Sequence, residues 1–123
     1  MTGPRRILLV EDREEVAVAV AALLAEHGCE VEIALNGTEG VSAVDAWLPD
    51  LVILDFSLPD FDGREVQRRM RGAHPDLPII FVSADHPDLR DLLEARPDCT
   101  AFLHKPYDGA SLTALIDRLT PRG

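Results

Sequence analysis

Positive charge is scarce in this sequence: 12 Lys and Arg stand against 22 Asp and Glu, a formal net charge of -10. A nucleic-acid backbone is held by basic groups that release its counterions, so this balance argues against direct nucleic-acid binding. Long apolar runs are missing as well. None approaches the roughly 20 residues that cross a bilayer. Met1 to Arg6 lead straight into a short run, Ile7 to Val10, without the h-region and cleavage site of a secretory leader. The expected setting is cytoplasmic, with no membrane contact. Cysteine is limited to Cys29 and Cys99, far apart and outside any Cys-x-x-Cys unit, which suits two buried structural thiols. His27, His74, His86 and His104 are scattered without the i, i+4 spacing of a helical metal site, and no function is assigned to them. Neither Gly-x-Gly-x-x-Gly nor Gly-x4-Gly-Lys-Ser/Thr occurs, so the glycine-rich phosphate cradles of nucleotide and flavin sites are absent too.

What is present is a regular alternation. The 123 residues are 46% hydrophobic. A chain of this size forms one domain that buries roughly two-thirds of its unfolded surface. Ile7 to Val10, Leu51 to Leu54 and Ile79 to Val82 are continuous apolar runs, as expected of parallel strands covered on both faces. Val31 to Leu35 alternates and Thr100 to His104 is mixed, which suits edge strands. Val16, Val20, Leu23 and Leu24 recur at helical spacing before a stop at Gly28. Thr38 opens a second helix that ends before Pro49, and Arg64 to Arg71 makes a third. Pro87 fits the first turn of a short fourth helix with Leu89, Leu92 and Leu93, stopped by Pro97. Leu112, Leu115, Ile116 and Leu119 mark a fifth. The expectation is an α/β fold, a (βα)5 doubly wound parallel sheet with helices on both faces and sites at the carboxyl ends of its strands.

Four of those strand ends carry reactive side chains. Glu11 and Asp12 follow the first strand, Asp55 closes the third, Ser83 ends the fourth, and Lys105-Pro106 follows the fifth. Each has an ordinary reading. Asp12 and Glu15 match a helix N-cap and its reciprocal acid. Asp55 and Ser83 could serve turns or caps, and Lys105 could be a solvated lysine. Their convergence on one rim favours chemistry. Magnesium takes oxygen ligands and keeps several waters, which Asp12 and Asp55 can satisfy. A transferring phosphoryl group carries negative charge that a cation, an ammonium and a hydroxyl can neutralise.

Together these residues resemble the receiver domain of two-component response regulators. The resemblance covers essentially the whole chain, through Val10-Glu11-Asp12, Leu54-Asp55-Phe56-Ser57-Leu58-Pro59-Asp60-Phe61-Asp62-Gly63, Val82-Ser83-Ala84 and Phe102-Leu103-His104-Lys105-Pro106-Tyr107. It implies a flavodoxin-like strand order 2-1-3-4-5 and a signalling switch rather than a turnover enzyme. Asp55 would be the phosphoacceptor, taking a phosphoryl group from a histidine kinase or histidine phosphotransfer protein. Mg2+ would be held by Asp12, Asp55 and the Ser57 backbone carbonyl, with Glu11 acting mainly through bound water. Lys105 would pair with phosphoryl oxygens, and its bond to Pro106 would be cis. Ser83 and Phe102 would switch conformation and alter the face built from the fourth helix, fifth strand and fifth helix, where a protein partner reads the state.

The resemblance further implies that Ser57 and Asp85 border the path of hydrolytic water. Arg13 and Asp98 depart from the commonest pattern: Arg13 sets a cation beside the pocket, and Asp98 stands where a glycine often precedes the last strand. The Arg96-Pro97-Asp98-Cys99 turn is therefore expected to hold an unusual conformation, the left-handed region being one that Asp tolerates. Residues 1–123 make up the domain. No output domain follows Thr120-Pro121-Arg122-Gly123, so the expected molecule is a free-standing regulator or a segment of a larger one, monomeric or dimerising on phosphorylation. Two other classes compete. One is a pseudo-receiver that binds partners without phosphorylation. The other is a phosphohydrolase of the haloacid dehalogenase type, which needs a second acid two residues after its nucleophile; here that position is Ser57.

Overall fold

A computed structural model describes residues 3–121. Met1, Thr2, Arg122 and Gly123, which bear on the readings of both chain ends, lie outside the described residues. Strands β1 (Arg6–Val10), β2 (Glu30–Ala34), β3 (Leu51–Asp55), β4 (Ile79–Ser83) and β5 (Thr100–His104) alternate with helices α1 (Glu14–Glu26), α2 (Gly37–Trp47), α3 (Gly63–Ala73), α4 (Arg90–Ala95) and α5 (Gly109–Leu119). The strands form one parallel sheet ordered β2-β1-β3-β4-β5. The expected α/β architecture and strand order are therefore observed.

The continuous apolar runs arise because both sheet faces are buried. Ile7, Leu9, Leu51, Ile53, Ile80 and Val82 pack on one side with Ala17 and Leu24 of α1 and Leu112 and Ile116 of α5. The alternate residues Leu8, Val10, Val52, Leu54, Ile79 and Phe81 pack on the other with Val44 of α2 and Val66 and Met70 of α3. Complete burial of one such side chain is worth about 1.5–3 kcal/mol. Cys29 and Cys99 are both buried, as expected.

Register places the rim. Val10 pairs with Leu54, so Glu11 emerges beside Asp55. Asp55 pairs with Val82 and Ser83 with His104, so Ser83 and Lys105 emerge next in line. Gly28 ends α1 at φ +83°, the left-handed turn expected there.

Local starts and stops differ from expectation in several places. Helix α1 begins after Arg13, whose carbonyl accepts from Val16 and Ala17 and which makes no side-chain cap bond. Asp12 is therefore not the N-cap that its spacing to Glu15 suggested. Helix α2 starts at Gly37 rather than Thr38, with the Asn36 side chain accepting from the Glu39 amide. Helix α3 extends beyond Arg64–Arg71 at both ends. Pro87 precedes α4 and is not in its first turn: Asp88 instead bonds the amide and guanidinium of Arg90, and the helix starts only there. No residue of α4 itself is buried; Leu89, just before it, enters the core. Asp98 does not adopt a left-handed conformation. Among the described non-glycine residues only Leu48 does, at φ 52°, while Asp98 extends to the Arg96 guanidinium.

Candidate functional site

At the carboxyl rim, Glu11 and Asp55 are 3% and 7% exposed, whereas Asp12 is open to solvent. Lys105 reaches across from the β5 edge. Its Nζ donates to Glu11 Oε1 at 2.9 Å and to Asp55 Oδ2 at 3.0 Å. The other oxygens are also engaged: Glu11 Oε2 accepts from the Arg13 amide at 3.1 Å and Asp55 Oδ1 from the Ser57 amide at 3.0 Å. Burial works against the charge of Lys105, but the hydrogen bonds it donates to Glu11 and Asp55 and their negative charges outweigh it. They hold the ammonium pKa above the ordinary lysine value. Burial also pushes up the phenol of Tyr107, nearby on the same edge.

Glu11, Asp12 and Asp55 each offer one oxygen, and these oxygens lie within 4.8 Å of one another. Three carboxylates face one ammonium, which leaves a net negative pocket of hard oxygen donors. That donor set fits a small divalent cation such as Mg2+.

The remaining candidates occupy different positions. Ser83 is 2% exposed and its Oγ accepts from the Asp85 amide at 3.1 Å. Its backbone carbonyl accepts from the Lys105 amide at 2.8 Å, tying the ends of β4 and β5. Lys105–Pro106 is a cis peptide. Phe102 is half-buried and packs with the α2–α3 side of the core, beside Phe81 in register.

The loop between β3 and α3 contains residues whose roles its sequence only partly revealed. Asp62 caps α3 by accepting from the Glu65 amide, a pairing that the Asp-x-x-Glu spacing could have disclosed. Asp60 bonds the amino end of α2, 23 residues away for Gly37, and no local pattern points to that. The Thr38 hydroxyl, then the Gly37 and Thr38 amides, lower its carboxyl pKa to about 2. His86 and His104 stack with ring centroids 4.1 Å apart, and His104 Nε2 lies 3.0 Å from the Ala84 carbonyl. Nothing in their spacing indicated that.

Gly63 closes this loop against Phe56, the residue after Asp55. A Cβ on Gly63 would lie 2.6 Å from Phe56 Cδ2 and 3.0 Å from its Cα. Because the second atom is backbone, a rotamer change cannot relieve the contact. We expect Gly63→Ala to destabilise the fold by about 2 kcal/mol. Denaturant unfolding measures this, and an unchanged midpoint would contradict it.

Comparison with known proteins agrees with this geometry. The family model for the response regulator receiver domain matches residues 7–117. The chain is 35% identical over 111 residues to the transcriptional regulatory protein DltR of Streptococcus agalactiae serotype III (strain NEM316), covering 90% of this chain and 50% of that protein. It is 33% identical over 110 residues to the luminescence regulatory protein LuxO of Vibrio campbellii, covering 89% of this chain and 24% of that protein. The chain thus spans half or less of the length of these relatives. Among solved structures, a CheY-like response regulator receiver domain protein from Methanospirillum hungatei JF-1 superposes with a TM-score of 0.84 at 25% identity. The match covers 94% of this chain and 92% of that one. The chain belongs to the response regulator receiver domain family, a family of signalling switches in two-component systems.

Proposed function

We propose that Asp55 is the phosphoacceptor of a two-component or phosphorelay switch. The observation that carries this reading is the partly neutralised acid cluster on the rim, where one ammonium, Lys105, bridges Asp55 and Glu11 beside Asp12. An Asp55 carboxylate oxygen attacks phosphorus of a phosphohistidine on a histidine kinase or phosphotransfer protein. The phosphorus–nitrogen bond breaks, its electron pair stays on the imidazole, and an acyl phosphate remains on Asp55. Lys105 exchanges its Asp55 contact for a phosphoryl oxygen while keeping Glu11 in reach. Asp12, Asp55 and the Ser57 backbone carbonyl would hold Mg2+, with Glu11 acting mainly through bound water. The cation would offset negative charge on the phosphoryl oxygens.

The readout follows from Ser83 and Phe102. The Ser83 hydroxyl accepts from Asp85, and its own proton can be donated to a phosphoryl oxygen. Phe102 pairs with Phe81 across β4 and β5, so a shift of the β4 end reaches the surface formed by α4, β5 and α5. Helix α4 has no fully buried residue and rests on the core through the partly buried Leu92 and Leu93, so moving it disturbs less packing than moving the other helices. A protein partner on that face would read the state, by a population shift between two conformations. We place the molecule in the cytoplasm, as a receiver unit spanning the chain and either monomeric or dimerising on phosphorylation.

Incubation with acetyl phosphate and Mg2+ tests this. We expect the mass of one phosphoryl group to be gained, and chelation of Mg2+ to prevent the gain. A chain that gains no mass and shows no amide shifts with beryllofluoride is instead a pseudo-receiver. Repeated turnover of a phosphomonoester would indicate a phosphohydrolase.

A further inference from the structure

The Asp55 loop contains three aspartates with distinct partners. Asp55 meets Lys105 and Ser57, and Asp62 caps α3. Asp60 points away from both and docks on α2. Its Oδ1 accepts from the Gly37 amide at 2.8 Å and the Phe61 amide at 3.0 Å, while Oδ2 accepts from the Thr38 amide at 3.0 Å and hydroxyl at 2.7 Å. The third amide of α2, on Glu39, is already capped by Asn36. Asp60 and Asn36 therefore divide the first turn of one helix between them, and only Asp60 belongs to the loop.

The docking is close. A Cβ on Gly37 would lie 2.8 Å from Val66 Cγ2, 3.1 Å from Asp60 Oδ1 and 3.3 Å from Phe61 Cδ2, so glycine at that position permits the approach. Helix α2 in turn sits directly on β1: a Cβ on Gly40 would lie 3.0 Å from Val10 Cγ2. Val10 is the residue before Glu11 and Asp12. The loop is thus referenced, through Asp60 and α2, to the strand that delivers the other two acids. On its far side Arg69 of α3 stacks over Phe61 at 4.4 Å, and Ser57 bridges to Asp62 across the loop base. Ser57 is thus paired to Asp62 at the base of the same loop whose tip Asp60 docks on α2.

We infer that Asp60 is a positioning residue for the cation site: by tying the β3–α3 loop to the amino end of α2, it fixes where Ser57 stands relative to Asp12 and Asp55. This rests on the phosphoacceptor reading of the same site. Groups that orient metal ligands typically change affinity by about 10- to 100-fold when removed, and one acting through a loop is expected to give roughly three- to tenfold.

The test is Mg2+ titration of the full chain followed by amide shifts, with the Mg2+ dependence of acetyl-phosphate labelling measured in parallel. Asp60→Ala should raise the Mg2+ midpoint roughly three- to tenfold, with the labelling rate approaching that of the unsubstituted chain at saturating Mg2+. Asp60→Asn retains an acceptor for Gly37 and should fall between. Asn36→Ala removes a cap from the same helix without touching the loop, so it should lower thermal stability and leave the Mg2+ midpoint in place. An Asp60→Ala midpoint equal to that of Asn36→Ala reduces Asp60 to a helix cap and overturns the inference alone. An unsubstituted chain with no response to Mg2+ overturns the phosphoacceptor reading as well.

Discussion

Asp55→Asn is expected to reduce acetyl-phosphate labelling to background while leaving the fold intact. The amide is nearly isosteric with the carboxylate. Its oxygen can still accept from the Ser57 amide, so that tie at the start of the loop is kept. What disappears is the anionic nucleophile, together with one of the three carboxylates in the rim cluster. The substituted side chain would also present a neutral amide to Lys105, where the ammonium now meets a carboxylate at 3.0 Å. Lys105 retains Glu11 at 2.9 Å, so global stability should change by only about 1 kcal/mol. Mg2+ affinity should fall, because a neutral amide replaces an anionic hard-oxygen ligand. Intact-mass spectrometry with and without the substitution decides the matter. Labelling that persists at the same level in Asp55→Asn would place the phosphoryl group elsewhere and remove Asp55 from the chemistry.

The sheet and rim were legible in the sequence for a physical reason. A parallel strand between two helical layers must be apolar on both faces, and β1, β3 and β4 satisfy that with unbroken runs that end at Glu11, Asp55 and Ser83. Parallel pairing then forces those ends to one side. Local starts were less legible where short polar side chains had competing partners. Asp88 and Arg90 form a local turn that delays α4, overriding the promise of Pro87 and the leucines after it. The Asp12–Glu15 spacing imitates a capping box, but the helix begins one residue later and leaves Asp12 with the rim. Asp98 is extended toward Arg96 rather than strained, because a guanidinium two residues back gives its carboxylate a partner without a left-handed turn. Asp60 and the His86–His104 stack were illegible because their meaning lies in contacts that only the folded chain creates.

Lys105→Met should produce the largest loss of stability at this site. Methionine keeps much of the aliphatic volume and deletes the charge. The Glu11 and Asp55 side chains, 4% and 10% exposed, would then face each other without the ammonium that now bridges them. Removing one partner of a buried ion pair typically costs about 3–5 kcal/mol, and the partial exposure of the Lys105 side chain places the expectation at about 3 kcal/mol. The pH dependence follows from the sign of the lysine shift. The folded pKa of Lys105 is raised, so its contribution is fully present below the unfolded lysine value of about 10.4 and is lost as pH rises through the folded value. The gap in unfolding free energy between Lys105→Met and the unsubstituted chain should therefore be constant through neutral pH and close only in strong alkali. Mg2+ should stabilise the variant more than the unsubstituted chain, since a divalent cation can replace the missing charge; at 100 times its dissociation constant it would restore about 2.7 kcal/mol. Labelling at Asp55 should nevertheless slow by about 100-fold, the usual effect of deleting one preorganised donor from a charged transition state. Denaturant unfolding across pH, with and without Mg2+, measures the first two effects. A variant as stable as the unsubstituted chain at neutral pH, with no greater response to Mg2+, would show that Lys105 does not neutralise this cluster.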